Sequence, residues 1–216
     1  MKIAILGGTG SEGFGLGYRW AAAGHEIFIG SRKAEKGEQA AVDMKERLPE
    51  AAVSGSDNAT AAAQAELVVL SVPYWAQAST LESVEEQLVG KILLTVVATT
   101  GEKKSRVQLL ESGKSAAEEA QDQLGEDTRV IAAFQNIGAH HLTDLEHKMD
   151  CDVLVFGAKK ADKQVVIDLC ADAGMRGVNG GAIQNAVVAE NLTSVLIAIN
   201  IIYKSKSAGI RITGIE

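Results

Sequence analysis

The chain has 216 residues and a formal net charge of −7. That length suits one compact unit with a small appendage and excludes a full nucleotide-binding domain followed by a separate all-helical substrate domain. The acidic balance excludes an overall basic field for nucleic acid or an anionic membrane, so any anionic ligand must be held locally.

Lys2 to Leu6 is a short apolar run that passes directly into Gly8-Thr9-Gly10-Ser11-Glu12-Gly13. It predicts a strand, a G-x-G-x-x-G turn and a helix, with a second strand, His25 to Ile29, one helix length later. Gly8 is expected to make the tight turn, Gly10 to let the backbone approach a pyrophosphate, and Gly13 to let the helix pack on the strand. The free amides and partial positive charge of a helix start favour an anion there without a cationic side chain.

The end of the second strand selects the dinucleotide. An NAD pocket usually carries a carboxylate there for the ribose 2'-hydroxyl. This chain has Ser31, Arg32 and Lys33, with Lys36 one turn on. A hydroxyl, a planar guanidinium and further positive charge suit a 2'-phosphate, which makes NADP the expected cofactor. The plainer alternative, a solvated basic helix start, runs against the helix dipole.

Ala34 to Leu48 predicts a helix ending at Pro49, and Ala51 to Gly55 a short strand. Asp57 or Asn58 is a cap for Ala59 to Ala65, which leads to the strand Glu66 to Val72. That strand is apolar on both faces, as in a parallel sheet covered by helices. Its carboxyl end brings Pro73, Tyr74, Trp75 and Ala76 to the crevice where an open parallel sheet binds ligands. Lys91 to Val97 is the next strand, and Ala98 to Arg106 a loop at the same edge, with Ala98 a further cofactor candidate.

Ser115 opens a helix to Leu124. Arg129 to Phe134 is a strand that delivers Gln135, Asn136, Ile137 and Ala139 to the crevice, followed by His140 and His141. Asp152 to Phe156 is a strand, Ala161 to Ala173 a helix, and Arg176 to Val178 a short extended piece. His25 falls at a strand entrance and His147 in a charged helix, neither with a partner that suggests catalysis. The last helix, Ile183 to Tyr203, is apolar over most of its circumference and wants cover on all sides, which points to a homodimer. Its apolar core, Asn191 to Tyr203, is shorter than a bilayer span, so no membrane partner is expected.

The two cysteines, Cys151 and Cys170, lack C-x-x-C spacing. They suggest neither a zinc site nor a disulfide framework, and suit a reducing cytoplasm. The fold class expected is α/β, a Rossmann-type doubly wound, mostly parallel sheet with a small C-terminal α/β extension and a long apolar C-terminal helix. Residues 1–134 form its NADP-binding part, and 135–216 complete the second-substrate cleft and the interface between copies.

Over nearly the whole chain the sequence resembles the NADP oxidoreductases that use the deazaflavin coenzyme F420. The likeness rests on Gly7-Gly8-Thr9-Gly10 with Gly13, on His25-Glu26-Ile27 leading to Gly30-Ser31-Arg32 with Glu35-Lys36, and on Val72-Pro73. Ser115-Ala116-Ala117-Glu118, Ala133-Phe134, Ile137, Ala139, Asn185, Glu190-Asn191-Leu192-Thr193 and Gly209-Ile210 extend it. The resemblance implies reversible hydride transfer between NADP and coenzyme F420. It puts Thr9 to Glu12, Ser31, Arg32, Lys36 and Ala139 near NADP, and Gln135 and Ile137 near the deazaflavin. Gln135 stands where His is expected and Gly138 where Pro is.

Hydride transfer of this kind needs placement of two flat rings rather than a nucleophile or strong base. No side chain is therefore singled out as catalytic and no metal is expected. Gln135 and Asn136 are candidate contacts to the ring. Two other readings remain open from the residues alone: an NADPH-dependent reductase of an imine or carbonyl compound, and a non-enzymatic NADP-binding redox sensor.

Overall fold

The computed structural model describes residues 1–101 and 103–215. Eight strands form one sheet in the order β3-β2-β1-β4-β5-β6-β7-β8. These are β1 (Lys2–Leu6), β2 (Glu26–Ser31), β3 (Val53–Asp57), β4 (Leu67–Leu70), β5 (Ile92–Thr95), β6 (Arg129–Ala132), β7 (Asp152–Gly157) and β8 (Arg176–Gly181). Every neighbouring pair is parallel except β6 and β7, which run antiparallel through Ile131 opposite Gly157 and Ala132 opposite Phe156. The doubly wound α/β class is as expected.

The central strands are apolar on both faces because helices cover both. Ile3, Ile5, Val69 and Leu94 face one apolar cluster, and Ala4, Leu6, Val68, Leu70 and Leu93 face the other. The helices are α1 (Ser11–Ala22), α2 (Ala34–Arg47), α3 (Asn58–Gln64), α4 (Tyr74–Glu82), α5 (Glu85–Leu88), α6 (Ala116–Leu124), α7 (Lys160–Asp172) and α8 (Ala186–Tyr203). On the first cluster, α1 places Trp20 edge-on to Phe134, with ring centroids 5.8 Å apart. The indole Nε1 donates to the Leu169 carbonyl of α7.

Several boundaries differ from those read in the sequence. β3 begins and ends two residues later than Ala51 to Gly55, because Ala51 closes a turn onto Leu48. As an edge strand, half exposed, it also admits Ser56 and Asp57 without an apolar run. β4, β5 and β6 stop short of Val72, Val97 and Phe134. The residues beyond β5 and β6 stay buried, while Ser71 and Val72 beyond β4 are half-buried at the cleft, and Phe134 leaves its strand with φ of 74°. β8 runs on to Gly181, past the Val178 expected. His147 lies in an irregular turn and not in a helix. His25 gains a partner, with its Nε2 3.0 Å from the Asp172 carboxylate.

The C-terminal helix also corrects an expectation. Ile183–Tyr203, a single turn plus α8, is by length and composition long and apolar enough to cross a membrane. Its inner half is anchored in the fold: Glu190 is fully buried and accepts the Ala116 and Ala117 amides at 2.9 and 3.1 Å. Its last turn is uncovered, with Ile201, Ile202 and Tyr203 66%, 70% and 76% exposed, while Leu196 before it is buried.

Candidate active site

The carboxyl edge of β1, β2 and β4 opens into a cleft of about 530 Å³. Of the residues expected there, Thr9, Gly10, Ser31, Arg32, Lys33, Lys36, Pro73, Trp75 and Ala76 line it. They are joined by Gly7, Asn58, Ser71, Val72 and Thr80. Strand β1 feeds α1 through the glycine turn, and the turn-making residue is Gly7, not Gly8. Gly7 has φ of 72°, and a Cβ there would meet the Ser71 carbonyl oxygen and the Val72 side chain. Gly8 is required for a different reason, since its Cβ would lie 2.8 Å from the Ile5 carbonyl oxygen. Gly13 packs α1 on the strand edge: a Cβ would stand 2.9 Å from Ser71 Oγ.

Gly10 precedes α1 without a side-chain cap. The first amides of the helix are therefore left for a ligand or water. Glu12 stands in that first turn, and burial pushes its carboxyl up to about 8. That shift favours the neutral form and lessens the negative charge Glu12 brings to an anion cradle.

Across the cleft, β2 ends at Ser31 and the chain continues through Arg32 and Lys33 into α2, which adds Lys36. The Arg32 guanidinium carbon is 6.0 Å from the centroid of the Trp75 ring, at the margin of cation–π distance. Trp75 is 74% exposed. Asp57, the β3 residue in register with Ser31, is the nearest place for a ribose-binding carboxylate. Its carboxylate is already committed, with Oδ1 accepting the Thr60 amide and Oδ2 the Thr60 hydroxyl, which holds it below the usual carboxylate range. Beside it, Asn58 lines the cleft and is buried, with its Oδ1 unpartnered among the described residues and lying against Gly30 of β2.

An adenine dinucleotide phosphate fits this arrangement. Uncapped helix amides lie on one side, and three cations and a hydroxyl on the other.

The remaining candidates are placed elsewhere. Ser11 and Ala139 share a neighbouring groove with Thr9, Phe14, Asp43, Arg47, His140 and Thr143. Tyr74 turns away from the cleft, its hydroxyl donating to Glu119 at 2.7 Å. Ala98 accepts the Thr100 amide just past β5. Within the expected loop Ala98 to Arg106, Thr100 pairs with Val107 beyond its end, and Glu102 lies outside the described residues.

Gln135, Asn136 and Ile137 are buried behind the edge rather than presented on it. Gln135 Nε2 donates to the Thr95 carbonyl at 3.0 Å, and Asn136 Nδ2 to the Asp152 carbonyl at 2.7 Å. Each keeps an unpartnered carbonyl oxygen among the described residues. In this conformation they tie the segment after β6 to β5 on one side and β7 on the other. Asn58, Ser71 and Thr80 were not singled out by sequence. The signal for the first two is position alone, since each directly follows a strand whose carboxyl end faces the cleft.

Residues 2–99 match the family described as NADP oxidoreductase, coenzyme F420-dependent. The F420-dependent NADP reductase of Methanocaldococcus jannaschii is 44% identical, with all of both chains covered. That of Methanothermobacter marburgensis is 41% identical over all of this chain and 99% of its own. A crystal structure from Arthrobacter sp. FB24, provisionally assigned as an F420-dependent NADP-reductase, superposes with a TM-score of 0.84. It has 28% identity and covers 99% of this chain and 100% of that one. Full-length identity at this level, on a fold that agrees throughout, shows that the chain belongs to the family of coenzyme F420-dependent NADP oxidoreductases.

Proposed function

We propose that the protein transfers a hydride reversibly between NADP(H) and coenzyme F420. The observation that carries this reading is the cluster of Ser31, Arg32, Lys33 and Lys36 facing the uncapped start of α1 across one cleft. NADP supplies the nicotinamide carbon that gives or takes the hydride, and the deazaflavin supplies its partner.

The residues of this chain bind and orient. The amides at Ser11 to Gly13 take the pyrophosphate, with Gly10 leaving room for close approach. Ser31 and Arg32 hold the 2'-phosphate by charge-assisted hydrogen bonds, and Lys33 and Lys36 add charge. Trp75, exposed at the cleft, covers the adenosine end, while Pro73 and Ala76 wall the crevice. Ala139 and Ile137 belong to the segment that borders the second ring. Gln135 and Asn136 fix that segment to β5 and β7.

In this reading residues 1–134 form the nucleotide-binding part and 135–216 the second-substrate part. Two copies associate through the uncovered last turn of α8, in a reducing cytoplasm that keeps Cys151 and Cys170 as the free thiols observed.

The test mixes purified protein with NADPH and oxidised F420 and follows the deazaflavin absorbance. Loss of colour with NADPH and little with NADH is expected; no change with either donor would overturn the assignment. In the same assay Arg32→Ala removes one or two charge-assisted bonds, each about 1.5–3 kcal/mol. The Michaelis constant for NADPH should then rise by roughly tenfold to a hundredfold or more, while that for NADH barely moves.

A further inference from the structure

Between β6 and β7 stands a side-chain cluster that nucleotide binding does not use. His141, Asp144 and His147 each offer a ligand atom, and these atoms all lie within 4.8 Å of one another. The imidazoles of His141 and His147 are stacked, with centroids 3.9 Å apart and planes 12° from parallel. Asp144 Oδ1 accepts the Glu146 and His147 amides, both at 3.2 Å. Its Oδ2 has no hydrogen-bond partner among the described residues.

The backbone beneath the cluster is gathered by one buried cation. Arg19 of α1, 6% exposed, shares Nη2 among the carbonyls of His141 at 3.1 Å, Asp144 at 2.7 Å and His147 at 3.2 Å. Its Nε donates to Leu142 O and its Nη1 to Ala173 O. The same nitrogen thus holds the main chain of all three potential ligands, so their convergence does not depend on an ion to organise the loop.

We propose that His141, Asp144 and His147 form a binding site for a divalent transition-metal ion of the Zn²⁺, Co²⁺ or Ni²⁺ class. Two imidazoles and one carboxylate are donors of that class, whereas Mg²⁺ and Ca²⁺ require a shell dominated by oxygen. Three protein ligands leave at least one position for water. Two nitrogens bound to a tetrahedral Zn²⁺ stand about 3.3 Å apart, so closure needs only side-chain rotation of part-exposed groups. The ion would fix the segment that supplies Ala139, His140 and Thr143 to the groove beside Thr9, Ser11 and Phe14.

The experiment uses full-length protein without a histidine tag, stripped with chelator. It is titrated with Zn²⁺ by calorimetry and with Co²⁺ by visible absorption. One equivalent of Zn²⁺ and a visible Co²⁺ band are expected. His141→Ala and His147→Ala should each weaken Zn²⁺ by on the order of a hundredfold or more, since loss of a mere supporting partner already costs about 10–100-fold. Both variants should keep the wild-type melting temperature in chelator. Absence of bound Zn²⁺ in the wild type, or equal affinity in either variant, would overturn the site, and neither result bears on NADPH turnover.

Discussion

Three glycines of the first turn do different work, and substitution separates them. Gly10 has φ of −78° and ψ of 157°, which any residue adopts, and an added Cβ would find only Gly7 O at 3.6 Å. Gly10→Ala should therefore leave the melting temperature unchanged or raise stability by about 0.4–1 kcal/mol. Its methyl would nevertheless stand where the pyrophosphate must approach, and NADPH affinity measured by fluorescence titration should fall at least roughly tenfold. Intact binding would mean that the nucleotide does not lie against this turn. Gly13 is the opposite case, packed on Ser71 whether or not a ligand is present. The glycine spacing was legible in sequence because only that spacing meets both needs, and so was the basic cluster after β2. Tyr74 was misplaced because adjacent helical positions point in different directions: its neighbour Trp75 lines the cleft while Tyr74 reaches Glu119. Gln135 and Asn136 look like exposed polar residues in sequence, yet their amides satisfy main-chain carbonyls of β5's last residue and β7's first.

Among the elements, helices with a cap were read closely. Ser115 and Glu118 form a reciprocal capping box at α6, and Asp57 caps α3. Strand ends were read less well, because burial continues past the last ladder bond and hydropathy cannot register where pairing stops. The contact between α8 and α6 was not legible at all. Glu190 comes from the far end of the sequence to accept two amides of the first turn of α6. Glu190→Ala strands those donors in an apolar setting at about 1–3 kcal/mol each, a loss measurable by chemical denaturation. Burial pushes this carboxyl up from 4.5 to about 7. Between those values the folded chain holds a proton that the unfolded chain has released, so this group's contribution to stability falls as pH rises and levels off above about 7. In Glu190→Gln that slope should vanish; a slope unchanged from wild type would remove Glu190 as its source.

For the molecule as a whole, the sequence supports a parallel, doubly wound sheet, since alternating apolar runs and amphipathic helices admit little else. It does not reveal that β7 reverses, because neither hydropathy nor spacing records strand direction. Nor does it say what covers α8. If two copies pack through Ile201, Ile202 and Tyr203, Ile201→Asp with Ile202→Asp should give a monomer by light scattering while leaving the isolated fold intact. A wild-type protein that is already monomeric at micromolar concentration would dismiss the interface. The reversal at β7 has its own effect on economy of chain. A parallel partner for β6 would have obliged the intervening peptide to cross to the opposite rim, normally as a helix. Because β7 starts from the rim where β6 ends, the peptide from Ala133 to Cys151 needs no crossover helix, and its exposed positions, such as His140 and Leu145, are free to vary while Phe134, Gln135, Asn136 and Leu142 stay buried. Differences in second-substrate choice among relatives should accordingly concentrate in this one stretch.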